Sequence, residues 1–178
     1  MDDEKILNVC CFFGHRKVTD ADEVKNRACA EIERLIVDKG VSIFLFGSKS
    51  EFDDLCYDVV TELKEKHPYI KRIYVRAEYQ YINDNYKKYL LERYEDTYYP
   101  ECIENSGKAS YVERNREMIS NAYYCVVYYD EEYMPPRRRK SKSSLNEYQP
   151  QSGTRLAYDF AIKKNKQIIN LYCKCDSQ

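Results

Sequence analysis

Tryptophan is absent from these 178 residues, and there are only five glycines, five prolines and two histidines. Each shortage closes off something. So little glycine and proline rules out collagen-like and linker-type sequences. With His15 and His67 as the sole imidazoles, and a lone C-x-C at Cys173 and Cys175, no metal is expected. Long apolar runs are missing too: Val41 to Phe46 and Tyr123 to Tyr129 are of strand length, far below the ~20 residues that cross a bilayer. No membrane partner is therefore expected. Nor is there an excess of one charge, because 29 Lys and Arg balance 30 Asp and Glu to a net of -1. Nothing global draws such a chain to nucleic acid or anionic lipid, so any electrostatic function has to be local. The first residues, Met1 to Lys5, hold no basic n-region ahead of a long apolar stretch, which sets the expected location as cytoplasmic. The eight cysteines are scattered through apolar patterns, as buried thiols in a reducing compartment would be.

What is present is a 43% hydrophobic, 33% charged chain with 19 tyrosines, sized for a single domain over 1–178. The continuous apolar run Ile6 to Phe13 predicts a strand buried on both faces, and the segments Val41 to Phe46, Ile70 to Val75, Ala122 to Tyr129 and Gln167 to Tyr172 predict four more strands. Between them lie segments with apolar residues at helical spacing. One follows a cap at Thr19 or Asp20 and ends at Gly40, another runs from Ser50 or Glu51 to Lys66, and others cover about Asn83 to Glu92, Val112 to Asn121 and Gly153 to Lys164. This alternation predicts a Rossmann-like α/β fold, an open parallel sheet of about five strands with helices on both faces. The tyrosine-rich stretch after Glu92 reads as irregular, and 130–151, with Pro135-Pro136 and the basic run Arg137 to Lys142, as a mobile loop. In such a fold ligands bind beyond the carboxyl ends of the strands, so the turns there hold the candidate site.

Four turns qualify. Gly14-His15-Arg16 follows the first strand, where a glycine admits a phosphate to the backbone and Arg16 offers a planar, permanently charged fork. Gly47-Ser48-Lys49-Ser50 follows the second, reading equally as an anion-receptive turn and as a capping box of Ser50 and Asp53. Glu113-Arg114-Asn115-Arg116 opens a helix, its arginines too close in sequence to share a face. Ser152-Gly153-Thr154 opens the last helix with N–H groups, a hydroxyl and little bulk. The tyrosines read as half-buried filler, with Tyr79, Tyr81 or Tyr86 placed to stack on a base.

These motifs, in this order, resemble the SLOG superfamily, the Rossmann-like group that includes the Smf/DprA and LOG (Lonely guy) proteins, and above all its small single-domain members with a G-H-R first turn. The resemblance spans about Leu7 to Leu171. It implies a site for a nucleotide or nucleotide-derived ligand, with the protein acting as sensor, carrier or sequestering protein. Gly14, Gly47 and Gly153 would let the backbone close on the ligand, Ser48, Ser152 and Thr154 would hydrogen-bond it, and His15 and Arg16 with Arg114 or Arg116 would complete the site. No cofactor is implied. LOG enzymes, which cleave the N-glycosidic bond of nucleoside monophosphates, carry P-G-G-x-G-T-x-x-E; here Gln151-Ser152 replaces the Pro-Gly start and Ala157 stands in place of the glutamate. Alanine cannot move a proton, which favours binding over catalysis. The alternative is an N-glycosidase or deoxyribosyltransferase that uses Asp53, Glu78 or Glu113 instead. A third reading, a nucleic-acid module built on Arg137 to Lys142, has the neutral net charge against it. The tyrosine-rich surface is suited to a homo-oligomer contact.

Overall fold

The computed structural model describes residues 6–47, 49–104, 106–139 and 147–174. Met1 to Lys5, Ser48, the Lys140 to Lys142 end of the basic run and Cys175 lie outside the described residues. The chain runs β1 (Val9–Gly14), α1 (Ala21–Lys39), β2 (Ile43–Phe46), α2 (Glu51–Lys66), β3 (Lys71–Val75), α3 (Asp84–Arg93), β4 (Asp96–Tyr98), α4 (Ser110–Ser120), β5 (Tyr124–Tyr128), β6 (Arg138–Arg139), β7 (Glu147–Tyr148), α5 (Gly153–Lys163) and β8 (Gln167–Asn170). Six strands form one parallel sheet in the order β4-β3-β2-β1-β5-β8. The chain builds outward from β1 through β2 and β3 to β4, then returns through α4 to lay β5 on the other side of β1. That reversal, between β1 and β5, is where this architecture leaves a crevice at the carboxyl edge. Among the described residues no helix is long and apolar enough to cross a membrane.

β1 explains why the sheet needs helices on both sides. Its alternate residues point opposite ways, and every one of them is apolar. Cys10 and Phe12 pack with Val24, Ala28, Ile32, Leu35 and Ile36 of α1 and Phe52, Cys56, Val59, Val60 and Leu63 of α2. Val9, Cys11 and Phe13 pack with Met118 and Ile119 of α4 and Ala157 and Ala161 of α5. Gly40 ends α1 in left-handed backbone (φ 68), its N–H bonded to the Leu35 carbonyl. The start of α1 falls to Asp20, while Thr19 turns its hydroxyl to the Tyr128 hydroxyl at 2.8 Å. Cys10, Cys11, Cys56 and Cys125 are buried free thiols.

The sheet has one strand more than the apolar pattern predicts. β4 is three residues of an edge, Asp96-Thr97-Tyr98, with no apolar run to announce it. It is fastened from below by Arg72 on β3, which is 9% exposed. The Arg72 guanidinium donates to both oxygens of Glu95, at 3.2 and 2.8 Å, and its backbone N–H donates to the same carboxylate at 2.6 Å. Thr61 Oγ1 and the Tyr57 hydroxyl take its remaining nitrogen at 2.8 and 3.3 Å. Around this pair Phe46, Tyr57, Tyr74 and Tyr94 form a ring cluster with centroids 5.1 to 6.0 Å apart. The 130–151 stretch is not wholly irregular either. Arg138 and Arg139 pair antiparallel with Tyr148 and Glu147, an ion pair at 3.6 Å joining Arg139 to Glu147.

Burial would raise the Glu95 carboxyl, but the bonds from Arg72 prevail and hold it below the ordinary carboxylate range. A group so depressed contributes stability above its unfolded value and loses it as pH falls through the folded one. Glu95→Gln is therefore expected to cost about 2 kcal/mol in urea unfolding at pH 7, a difference from the parent protein that shrinks as pH drops below 4.5.

Candidate functional site

A cavity of about 570 Å³ opens at the carboxyl edge of the sheet over β1. Phe13, Gly14, His15 and Arg16 come to it from β1, Lys49 and Ser50 from the turn after β2, and Tyr111, Arg114 and Asn115 from the first turns of α4. Tyr133, Pro135 and Arg138 arrive from the excursion after β5, and 150–154 from the start of α5. Of the predicted site residues, Gly14, His15, Arg16, Arg114, Ser152, Gly153 and Thr154 are brought together here. Gly47 lies beneath the site, and Ser48 lies outside the described residues. Arg116 is not among the lining residues: it faces Glu113 at 2.7 Å and sits 5.6 Å over the Phe160 ring.

The two helices that begin at this edge differ. α2 is closed, because Ser50 Oγ accepts the Asp53 N–H at 3.1 Å, the Glu51 N–H goes to the Arg16 carbonyl at 3.0 Å, and Glu51, Asp53 and Asp54 fill its first turn with negative charge. Ser50 is thus the N-cap of that helix, and with Lys49 it also lines the cavity. α5 has no acidic residue in its first turn. Ser152 Oγ accepts the Arg155 N–H at 3.0 Å and the Ser152 carbonyl takes Leu156 N–H at 3.1 Å, which leaves Gly153 and Thr154 ahead of the first intrahelical bond with their N–H groups at the cavity.

The glycines separate by the same test. A Cβ on Gly14 would meet Phe52 Cδ1 at 2.6 Å, and one on Gly47 would meet Arg114 Nη1 at 2.7 Å and the Val75 carbonyl at 2.9 Å. Both therefore serve the packing of the protein itself. At Gly153 an added Cβ meets nothing within 4 Å, so its bareness faces open space where a ligand would come close.

Arg114 is 3% exposed. Its guanidinium donates to the Gly47 carbonyl, and to that of Val75 at 3.5 Å, while Nε donates to Asn115 Oδ1 at 3.0 Å. Burial loosens its hold on its proton, and the negative charge of Asp53 is the first of the influences that oppose this. It ties the ends of β2 and β3 to α4 and forms the floor of the cavity. Lys49 reaches Glu78 at 3.1 and 3.2 Å, and Glu78 also accepts a hydrogen bond from the Tyr111 hydroxyl. Arg16 is exposed, and among the described residues no carboxylate lies within ion-pair distance of it. Among the described residues no aspartate or glutamate lines the cavity. The alternative carboxylates are not lining residues: Asp53 is buried in α2, Glu78 stands behind the lining residues Lys49 and Tyr111 and is held by them, and Glu113 pairs with Arg116.

His15 is 7% exposed and its ring is used internally. Nε2 accepts the Asp130 N–H at 3.0 Å, and the ring packs on Tyr133 at 4.4 Å and Tyr129 at 5.7 Å, clasping the start of the excursion to the end of β1. Tyr111 and Tyr133 are lining residues that the sequence motifs did not include, while Asn115 lies within the Glu113–Arg116 motif and Arg138 within the basic run, neither of them assigned to the site from sequence. Tyr111 alone had a signal, lying three positions before Arg114 and so on the same helix face.

This architecture defines a doubly wound α/β protein of the Rossmann-like class. No family model and no curated protein matches the chain.

Two measurements probe the site's construction. Gly47→Ala is expected to lower stability by about 1–3 kcal/mol, because the crowding atoms include a buried guanidinium and a backbone carbonyl. Gly153→Ala is expected to raise it by about 0.5 kcal/mol; calorimetric melting of the pair distinguishes them. Burial lowers the His15 imidazole from its ordinary 6.5, the Asp130 contacts only partly opposing this. The unfolded chain then takes up a proton that the native ring resists, so its contribution is present above pH 6.5 and is lost as pH falls. The parent protein should lose more stability between pH 7.5 and pH 5.5 than His15→Gln does.

Proposed function

We propose that this chain is a SLOG-type protein that binds a nucleotide or nucleotide-derived ligand in the cavity over β1, as sensor, carrier or sequestering protein. One observation carries it: a cavity at the point where strand order reverses, without a carboxylate among the described residues that line it, where Arg16 and the first N–H groups of α5, at Gly153 and Thr154, converge. Helix-terminal N–H groups, a nearby hydroxyl and a guanidinium are the chemistry a phosphate needs. Thr154 supplies the hydroxyl, and Arg138 a further cation from the excursion. Binding rather than bond cleavage is favoured because none of the described lining residues is a carboxylate and Ala157 is buried where the LOG glutamate would stand.

A thermal-shift screen against mononucleotides, dinucleotides, cyclic nucleotides and ADP-ribose derivatives tests this. A ligand at 100 times its Kd raises stability by about 2.7 kcal/mol. Arg16→Ala is expected to weaken binding by about 1.5–3 kcal/mol while leaving the unliganded protein's melting unchanged. Arg16 is the arginine to alter, since removing Arg114 would also take out the cavity floor. A flat response across the panel overturns the proposal.

A further inference from the structure

We infer that Tyr111 is the nucleobase platform of this cavity, so that the site recognises nucleosides and not bare phosphate esters; this rests on the nucleotide-binding reading above. The cavity has two ends. Arg114 binds the carbonyls that close β2 and β3, which places Tyr111 and Asn115 at that side of the cavity. The open N–H groups of α5 lie at the β1 side, with Phe13, Gly14 and Arg16. Adjacent strands are about 4.8 Å apart and Arg114 reaches the ends of both β2 and β3, so the two ends are separated by one to two spacings, roughly 5–10 Å. This is the reach of a nucleoside 5′-phosphate from its phosphate to its base.

The ring is prepared for such a contact. Tyr111 lines the cavity and is 47% exposed. Its hydroxyl is fixed by Glu78, which Lys49 also holds. The buried Arg114 guanidinium lies 5.7 Å from the ring centroid and backs one face, so the exposed area belongs to the other face and edge. An aromatic ring held at both its hydroxyl and its back loses little entropy when a base stacks on it. Beside it, Asn115 has its carbonyl oxygen engaged by Arg114 Nε at 3.0 Å. That fixes the amide and leaves its NH2 group to donate to an acceptor on the base edge.

The test compares adenosine and uridine 5′-monophosphates with ribose 5-phosphate by isothermal titration calorimetry on the full chain. The parent protein is expected to prefer the nucleotides by about tenfold or more, the scale of a base stacked on an aromatic ring. Tyr111→Phe keeps that preference. Tyr111→Leu and Tyr111→Ala abolish it while leaving ribose 5-phosphate affinity unchanged; both lower unliganded melting a little, since they remove the bond to Glu78 and the ring beside Arg114. Two results overturn the inference yet leave phosphate binding in place: equal affinity of the parent protein for nucleotides and ribose 5-phosphate, or a preference that survives both Tyr111→Leu and Tyr111→Ala. If none of the three compounds binds at millimolar concentration, this inference falls, and the nucleotide reading falls with it if the wider panel is also flat.

Discussion

The close approach of Arg114 to Gly47 is the constraint on which the upper edge of this protein depends. A buried guanidinium needs acceptors, and the chain supplies main-chain carbonyls at the ends of β2 and β3. That is possible because residue 47 has no side chain to keep the arginine away. One contact therefore fixes the height of α4 over the sheet. From that height follow the position of Tyr111, the depth of the cavity and the room left above β1.

The electrostatics are arranged by subtraction. A net charge of -1 conceals an edge from which carboxylates have been kept back. Acidic residues are abundant close by, but α2 uses Glu51, Asp53 and Asp54 in its own first turn, and Glu78 is occupied by Lys49 and Tyr111. α5 is left without an acid at its start. The dipole of one helix is answered within the protein, and that of the other is left for something else.

The architecture was legible because five of the six parallel strands carry a short apolar segment, unbroken in β1, β2 and β5, and are separated by helices of clear period. β4 was not, since an edge strand of three residues has no buried face to advertise and depends on a side-chain pair, Arg72 with Glu95, that no local pattern reveals. At the site, Gly14, Arg16 and the start of α5 could be placed by their position after a strand or before a helix. The roles of Gly14, Gly47 and His15 could not, because each is decided by a partner far away in sequence: Phe52, Arg114 and Asp130. Arg116 shows the converse. Its spacing from Arg114 let both reach the site only if one lay at or before the helix start, and the helix begins ahead of both, at Ser110.

The excursion between β5 and α5 leaves and rejoins the domain at the same edge: it starts at Asp130, clasped by His15, and ends at Ser152, locked by its own cap. A segment whose two ends are already pinned near one another can change length at little cost, since closure entropy grows only with the logarithm of the loop. The sheet beneath would not register the change. The lining that comes from the excursion is thus separable from the scaffold in this protein, and Tyr133, Pro135 and Arg138 can diversify while the turn after β1 and the start of α5 stay as they are.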